Sequence, residues 1–225
     1  MHGHSAAVSD DVHPGDSVLL LCPSMVADED GACTDLLTLD DPERRRVLCV
    51  CLSHSADHRR TVWNRTVGVS PADAAVIVPD RQSMLYGEWG SEPEASERGA
   101  ALDTGRRVPV AEAGGFDPSV ERVGSPGDLT TLGVRITERL DAWETGPTDH
   151  RTVVCFDSVS TLLQYTDFQG AYKFLDALVN YVEDAGAIAH FHMDPGAHDE
   201  QTVDGLRQLF HSVYAYEDGE WTLRQ

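Results

Sequence analysis

The sequence has 225 residues, of which 41% are hydrophobic, and its 38 Asp and Glu against 17 Lys and Arg give a net charge of −21. A chain of this length and composition can bury the core of one folded domain, which excludes disorder throughout. The acidic surplus excludes a general nucleic-acid binder, because phosphate contacts need Arg and Lys clustered on one face.

The basic residues are almost all arginines, and Lys173 is the only lysine. An acidic chain with so little lysine resembles proteins of halophilic archaea, whose cytosol is concentrated in salt. At molar salt the Debye length is only about 3 Å, so the repulsion between acidic side chains is largely screened. We therefore expect most of the acids to form a solvated surface rather than a site for a basic partner.

The cysteines indicate a reducing compartment. There are five of them, an odd number, and none forms a CxxC pair. Cys49, Cys51 and Cys155 lie in apolar runs, where a free thiol behaves as a small buried hydrophobe. The chain shows no signal peptide and no apolar run near the roughly 20 residues that span a bilayer. These features predict a soluble, cytoplasmic protein without a membrane partner.

The first part of the chain alternates short apolar runs with helical patterns, after a polar start at residues 1–16 that we expect to be a flexible tail. Apolar runs without alternation are typical of strands buried on both faces of a parallel sheet. Ser55 is a suitable N-cap for the second helix, and Gly68 follows its end. The predicted elements are strand 17–22, loop 23–31, helix 32–39, strand 46–52, helix 56–67 and strand 74–78.

Residues 79–127 lose this regularity, being rich in Gly, Pro, Glu and Ser, with one brief strand pattern at 107–110. A stretch of this length exceeds a normal connection, so we predict an irregular insertion within a single domain that spans residues 17–225.

Regular patterns return after the insertion. Apolar residues at helical spacing predict two amphipathic helices, and Asp218-Gly219 is typical of a hairpin turn. Because strands and helices alternate along the chain, the sequence predicts a three-layer, doubly wound α/β fold with a mostly parallel sheet. The predicted elements are helix 128–143, strand 152–156, helix 168–184, strand 187–193, helix 202–210 and hairpin 213–223.

The segment TVVCFDSVSTLL at residues 152–163, followed by a long amphipathic helix and another apolar strand, resembles the second half of a RecA-like core. It is similar to archaeal KaiC-like and RadA-paralog-like proteins, and to a haloarchaeal group that lacks a functional P-loop. The resemblance implies that Asp157 is the Walker B acid and that residues 17–31 hold the Walker A position. It also implies that strand 187–193 lies between the first strand and the strand ending at Asp157.

The loop at the Walker A position departs from the motif. A phosphate-binding loop needs glycines for a backbone cradle and a lysine for the β and γ phosphates. The string PSMVADEDG has one glycine, Gly31, and its acids Asp28, Glu29 and Asp30 would repel phosphate. Lys173 lies inside a predicted helix. We therefore predict a degenerate P-loop, no ATPase activity and no nucleotide cofactor.

The string HFHMDPGAHD contains a candidate metal site. His190 and His192 alternate with apolar residues, so both imidazoles project from one face of their strand, and Asp194 and His198 follow it. The RecA-like resemblance would bring His192, Asp194 and His198 near Asp157, and Asp157 would then serve as a ligand or base. Imidazole and carboxylate ligands suit zinc or another divalent metal, and an open coordination position would allow hydrolysis. The string also resembles in part the HxHxDH run of metallo-β-lactamase-type hydrolases.

The same residues have a structural interpretation. His190 would be a hydrogen-bonded core histidine, residues 194–196 a turn, and Asp199 a helix cap. The leading hypothesis from the sequence is a non-catalytic RecA-like domain that acts through protein contacts, with a partner or with itself, in regulation or signalling. The alternatives are a metal-dependent hydrolase that uses His192, Asp194 and His198, and a nucleotide or anion sensor without hydrolysis.

Overall fold

The computed structural model describes residue 8 and residues 12–23, 29–39, 41–80, 115–146 and 149–225. Short 3-10 turns at Pro42–Arg44 and Pro195–Ala197 accompany the regular elements. The strands are β1 Ser17–Leu21, β2 Arg45–Cys51, β3 Asp73–Pro79, β4 Ser119–Val123, β5 Arg151–Asp157, β6 Ile188–Met193, β7 Ser212–Glu217 and β8 Glu220–Leu223. The helices are α1 Glu29–Thr38, α2 Ala56–Thr66, α3 Leu129–Glu144, α4 Val159–Tyr165, α5 Phe168–Asp184 and α6 Glu200–Arg207.

The strands form one eight-stranded sheet in the order β4-β3-β2-β5-β6-β1-β7-β8. Every neighbouring pair is parallel except the hairpin β7 and β8. Strand β6 pairs with β1 on one side and β5 on the other, as the resemblance implied. The fold is therefore a mostly parallel, RecA-like α/β core.

Helices cover both faces of the sheet, which gives the three predicted layers. Side chains of α3, α4, α5 and α6 pack with one face in the larger apolar core. Side chains of α1 and α2 pack against the other face. Alternation within β6 sends Ala189, Phe191 and Met193 to the larger core, and Ile188 to the α1 and α2 layer. His190 and His192, two and four residues after Ile188, share its face.

Several local predictions are confirmed at residue level. The side chain of Ser55 accepts a hydrogen bond from the His58 amide at the start of α2. Gly68, beyond the end of α2, has a φ of +75°, which disfavours residues with a side chain. The hairpin turns at Asp218-Gly219, and both residues have positive φ values.

The structure also differs from the predicted pattern. Strand β4 lies inside the stretch 79–127, where it pairs with β3 despite its polar sequence SVERV. Helix α4 directly follows β5, and the sequence did not predict it as a separate helix. Of the predicted tail, residue 8 and residues 12–16 are described, and the Gly15 amide donates to the Ala187 carbonyl at 2.9 Å. The pattern at 107–110 lies outside the described residues.

Candidate functional site

The candidate site lies at the carboxyl ends of β2 and β5, which are neighbours in the sheet. The chain leaves β2 through α2 toward β3, and it leaves β5 through α4 and α5 toward β6. The two connections therefore diverge on opposite faces and open a crevice between them. A place where two neighbouring strands connect in opposite directions is called a topological switch point, and open α/β sheets bind ligands there.

Asp157, the last residue of β5, is buried at this point and pairs with one arginine and one histidine side chain. Arg59 Nη2 donates to Asp157 Oδ2 at 3.0 Å, and His54 Nδ1 donates to the same oxygen at 2.7 Å. Burial opposes ionisation of Asp157, but the hydrogen bond from His54 and the interactions with His192 and Arg59 outweigh it. The pKa of Asp157 therefore lies well below its ordinary value, and the carboxylate is ionised.

Hydroxyl groups surround the rim of the crevice. Ser53 Oγ lies 3.1 Å from Ser158 Oγ and 2.7 Å from Thr161 Oγ1. The His54 ring stacks on His58 with centroids 4.4 Å apart. A cleft of about 490 Å³ beside His54 extends over the ends of β3 and β4. This rim is polar and accessible, whereas the carboxylate below it is enclosed.

Arg59 connects this carboxylate to a second group of side chains beneath it. Its Nη1 donates to Cys33 Sγ at 3.1 Å while Nη2 holds Asp157. Cys33 lies on the face of α1 that packs against the sheet, and Cys155 lies two residues before Asp157 on β5. One buried guanidinium therefore bridges the crevice and the α1 layer.

Four buried side chains form a compact cluster in that layer. They are Cys33, Cys155, His190 and His192, and one ligand atom of each lies within 4.8 Å of the others. Cys33 Sγ is 3.6 Å from Cys155 Sγ and 3.3 Å from His190 Nε2. All four residues are almost completely buried. Two thiols and two imidazoles are a donor set that can hold a soft or borderline metal ion.

Protonation in this cluster follows from burial and internal hydrogen bonds. The hydrogen bond with Cys155, together with burial, raises the pKa of the Cys33 thiol. Burial raises the pKa of Cys155 and lowers the pKa of His190. As a set of free side chains, these three groups are therefore neutral near pH 7.

The predicted metal-site residues are divided between the two faces of the sheet. His192 lies in the cluster with Cys33, on the α1 side. His198 Nε2 lies 2.9 Å from Ser160 Oγ of α4, on the opposite side, and the Asp194 carboxylate accepts from the Gly196 amide. The described residues thus bring His190 and His192 together, but with cysteines instead of Asp194 and His198. The metal set of His192, Asp194 and His198 stays a prediction.

The structural interpretation of the same string matches its local contacts. His190 hydrogen-bonds within the core, and Pro195–Ala197 forms a 3-10 turn. The Asp199 side chain accepts from the Thr202 amide and caps α6.

Sequence reasoning missed Cys33, His54 and Arg59. Cys33 had a usable signal, because it falls with Ala32 and Leu36 on the inward stripe of α1. Arg59 and His54 had none, since surface helices and loops commonly carry such residues.

Replacing Ser160 with alanine tests the contact that holds His198. The Ser160 hydroxyl also accepts from the Asp194 amide at 2.9 Å, so its loss removes two hydrogen bonds at a partly buried position. We expect the free energy of unfolding to fall by about 1–3 kcal/mol in denaturant unfolding. The control is Thr130→Ala at an exposed position of α3, which should change the free energy of unfolding by about 0.5 kcal/mol or less. Equal losses in the two variants would contradict the contact.

Sequence comparison places the chain in a family. Residues 15–213 match a family described as "Family of unknown function (DUF7504)". The chain belongs to this family. None of the curated proteins matches it.

Two solved structures illustrate the similarity of this fold to those of known proteins. The structure of PH0250 from Pyrococcus horikoshii OT3 shares 11% sequence identity with this chain at a TM-score of 0.54, and the match covers 95% of this chain and 88% of that one. The flagellar accessory protein FlaH from Methanocaldococcus jannaschii shares 10% identity at a TM-score of 0.48, covering 93% and 76%. At this identity the PH0250 likeness supports the fold alone. In the described part of this DUF7504 member, no helix is long and apolar enough to cross a membrane.

Proposed function

We propose that this chain is a RecA-like domain that does not hydrolyse nucleotides and that acts through protein contacts, as a regulatory or signalling component of a halophilic archaeon. The observation that carries the proposal is the state of Asp157. The carboxylate at the Walker B position is buried and paired with Arg59 and His54.

A carboxylate in this state is a poor magnesium partner. Magnesium in nucleotide sites binds through carboxylates and retained waters, which requires an accessible oxygen. Asp157 is only 3% exposed, and the Arg59 guanidinium beside it would repel a divalent cation. The exposed position of Lys173 in the middle of α5 gives no substitute for the missing P-loop lysine. These features support a fold whose nucleotide chemistry has been lost.

Protein contact is supported at the two ends of the sheet. Among the described strands, β4 pairs only with β3, and β8 pairs only with β7. Each terminal strand exposes one large apolar side chain, Val120 at 42% and Leu223 at 53%. Open strand edges with apolar side chains favour association with another chain. Self-association from edge to edge is the form of contact that we propose.

Nucleotide turnover provides the first test. The purified chain in molar KCl, with magnesium and ATP or GTP, should release no more phosphate than the Asp157→Asn variant. Nucleotide should also leave its melting temperature unchanged. Magnesium-dependent turnover that Asp157→Asn abolishes would overturn the proposal. Protection by nucleotide without turnover would instead favour the anion-sensor alternative.

Oligomeric state provides the second test. Light scattering in molar KCl should show a mass above one chain, and Val120→Lys or Leu223→Lys should reduce it, because edge charges oppose strand pairing. Tyr165→Lys is the matched control, since Tyr165 is equally exposed but lies on α4, which packs against the central strand β6. A strict monomer at all concentrations would contradict edge-to-edge self-association.

A further inference from the structure

We propose that Cys33, Cys155, His190 and His192 form a closed, structural zinc site that fastens α1 to the centre of the sheet. This inference does not depend on the proposed function. It rests on the chemistry, spacing and burial of four side chains from three elements.

The spacing of the ligand atoms fits a tetrahedral ion. For Zn–S bonds of about 2.3 Å and Zn–N bonds of about 2.0–2.1 Å, two sulfurs lie about 3.8 Å apart, and sulfur and nitrogen about 3.5 Å apart. The corresponding distances are 3.6 Å between Cys33 Sγ and Cys155 Sγ, and 3.3 Å between Cys33 Sγ and His190 Nε2. Shifts of a few tenths of an ångström would therefore bring these atoms to zinc-binding positions.

The charges also fit. Two thiolates and two neutral imidazoles around a divalent zinc ion give a neutral centre, which suits a site with almost no solvent exposure. Metal binding releases the two thiol protons to solvent. Arg59 Nη1 already donates to Cys33 Sγ, the kind of outer contact that orients a ligand and stabilises a thiolate. Asp157 balances the guanidinium charge.

A set of four protein ligands leaves no coordination position for water, so the site is structural rather than hydrolytic. Cys33 lies in α1, the helix that follows β1, whereas Cys155 lies on β5 and both histidines on β6. In a P-loop fold, bound phosphate tethers the loop that precedes this helix. Here a metal would hold the helix against the sheet by direct bonds.

The test begins with the full chain, purified without a His-tag under reducing conditions and loaded with zinc. Elemental analysis should give about one zinc per chain. Cobalt substitution should give the visible spectrum of a tetrahedral ion together with thiolate charge-transfer bands. X-ray absorption of the zinc form should show two sulfur and two nitrogen neighbours. Chelation should lower the melting temperature by on the order of 10 °C.

Matched variants assign the ligands. Cys33→Ser and Cys155→Ser should each lose the metal, whereas Cys22→Ser, at a buried cysteine outside the cluster, should keep it. His198→Ala should also keep it, which separates this site from a set built on Asp194 and His198. If the cysteine variants fail to fold, the cobalt and absorption spectra of the unmodified chain decide between the two sites. The cluster supplies two sulfur ligands, whereas a set of His192, Asp194 and His198 supplies none.

Three results would overturn the proposal. The first is a zinc content near zero after loading of the reduced chain. The second is full metal retention in both cysteine variants. The third is a metal spectrum without sulfur ligands. A Cys33–Cys155 disulfide that persists under reducing conditions, detected by mass spectrometry, would equally exclude the site.

Discussion

Replacing Arg59 with methionine is expected to lower the free energy of unfolding by about 3–5 kcal/mol, because the change removes the guanidinium that forms an ion pair with the buried Asp157 carboxylate. The side chains of Arg59 and Asp157 are each 5% exposed, so water cannot replace the lost guanidinium. Methionine keeps most of the aliphatic volume, which limits the change to charge and hydrogen bonding. Chemical denaturation in molar KCl with a chelator present measures the loss without any contribution from metal bound at Cys33.

The neighbouring residue provides the control. Arg60 is 41% exposed, and its partners Asp57 and Asp117 are exposed as well. Arg60→Met should therefore lower stability by about 1 kcal/mol or less. The double variant Arg59→Met, Asp157→Leu should be less destabilised than the sum of its two single variants, because it buries no lone charge. Similar losses for Arg59→Met and Arg60→Met would show that the pair with Asp157 is not formed.

Replacing Phe191 with alanine is expected to lower the free energy of unfolding by about 3–5 kcal/mol. Phe191 lies in the middle of β6, with no exposed surface, between the rings of Phe156 and Phe210 at centroid distances of 5.6 and 4.9 Å. The strand is fixed on both sides by β1 and β5, so the cavity cannot close by movement of the backbone. Calorimetry or denaturant unfolding measures the loss.

Phe168→Ala is the control for this substitution. Phe168 begins α5, is 42% exposed, and contacts Tyr172 and Gly205 at the protein surface. Removing its ring exposes little new apolar surface and should reduce stability by about 1 kcal/mol. A loss at Phe191 no larger than that at Phe168 would contradict the central position of β6 in the sheet.

Much of the architecture could be predicted from local patterns. The buried run at Ser17–Leu21 and the helix Phe168–Asp184 follow from apolar spacing, because burial on two faces or on one stripe leaves a direct trace in the sequence. The caps Ser55 and Asp199 could be predicted for a similar reason, since capping depends on residues only three positions apart. Strand β4 could not, because an edge strand with polar side chains lacks a hydrophobic pattern.

The candidate site was predicted only in part. From the sequence, His190 and His192 were correctly predicted to share one face of a strand. The predicted metal site, however, combined His192 with Asp194 and His198, which are close in sequence. In the structure, those later residues contact α4 on the other side of the sheet. The sequence treated Cys155 as a buried hydrophobe, whereas the fold brings it to Cys33, 122 residues earlier in the chain.

By itself, the sequence determined the alternation of strands and helices, the acidic surface and the absence of a lysine-bearing glycine loop, because each depends on residue type or on spacing within a few positions. Only the tertiary structure decided that Arg59 and His54 enclose Asp157, and that Cys33 meets Cys155, His190 and His192. The physical reason is that a parallel sheet brings together residues from distant strands, and the side of the sheet on which a helix packs is fixed by the crossover connections.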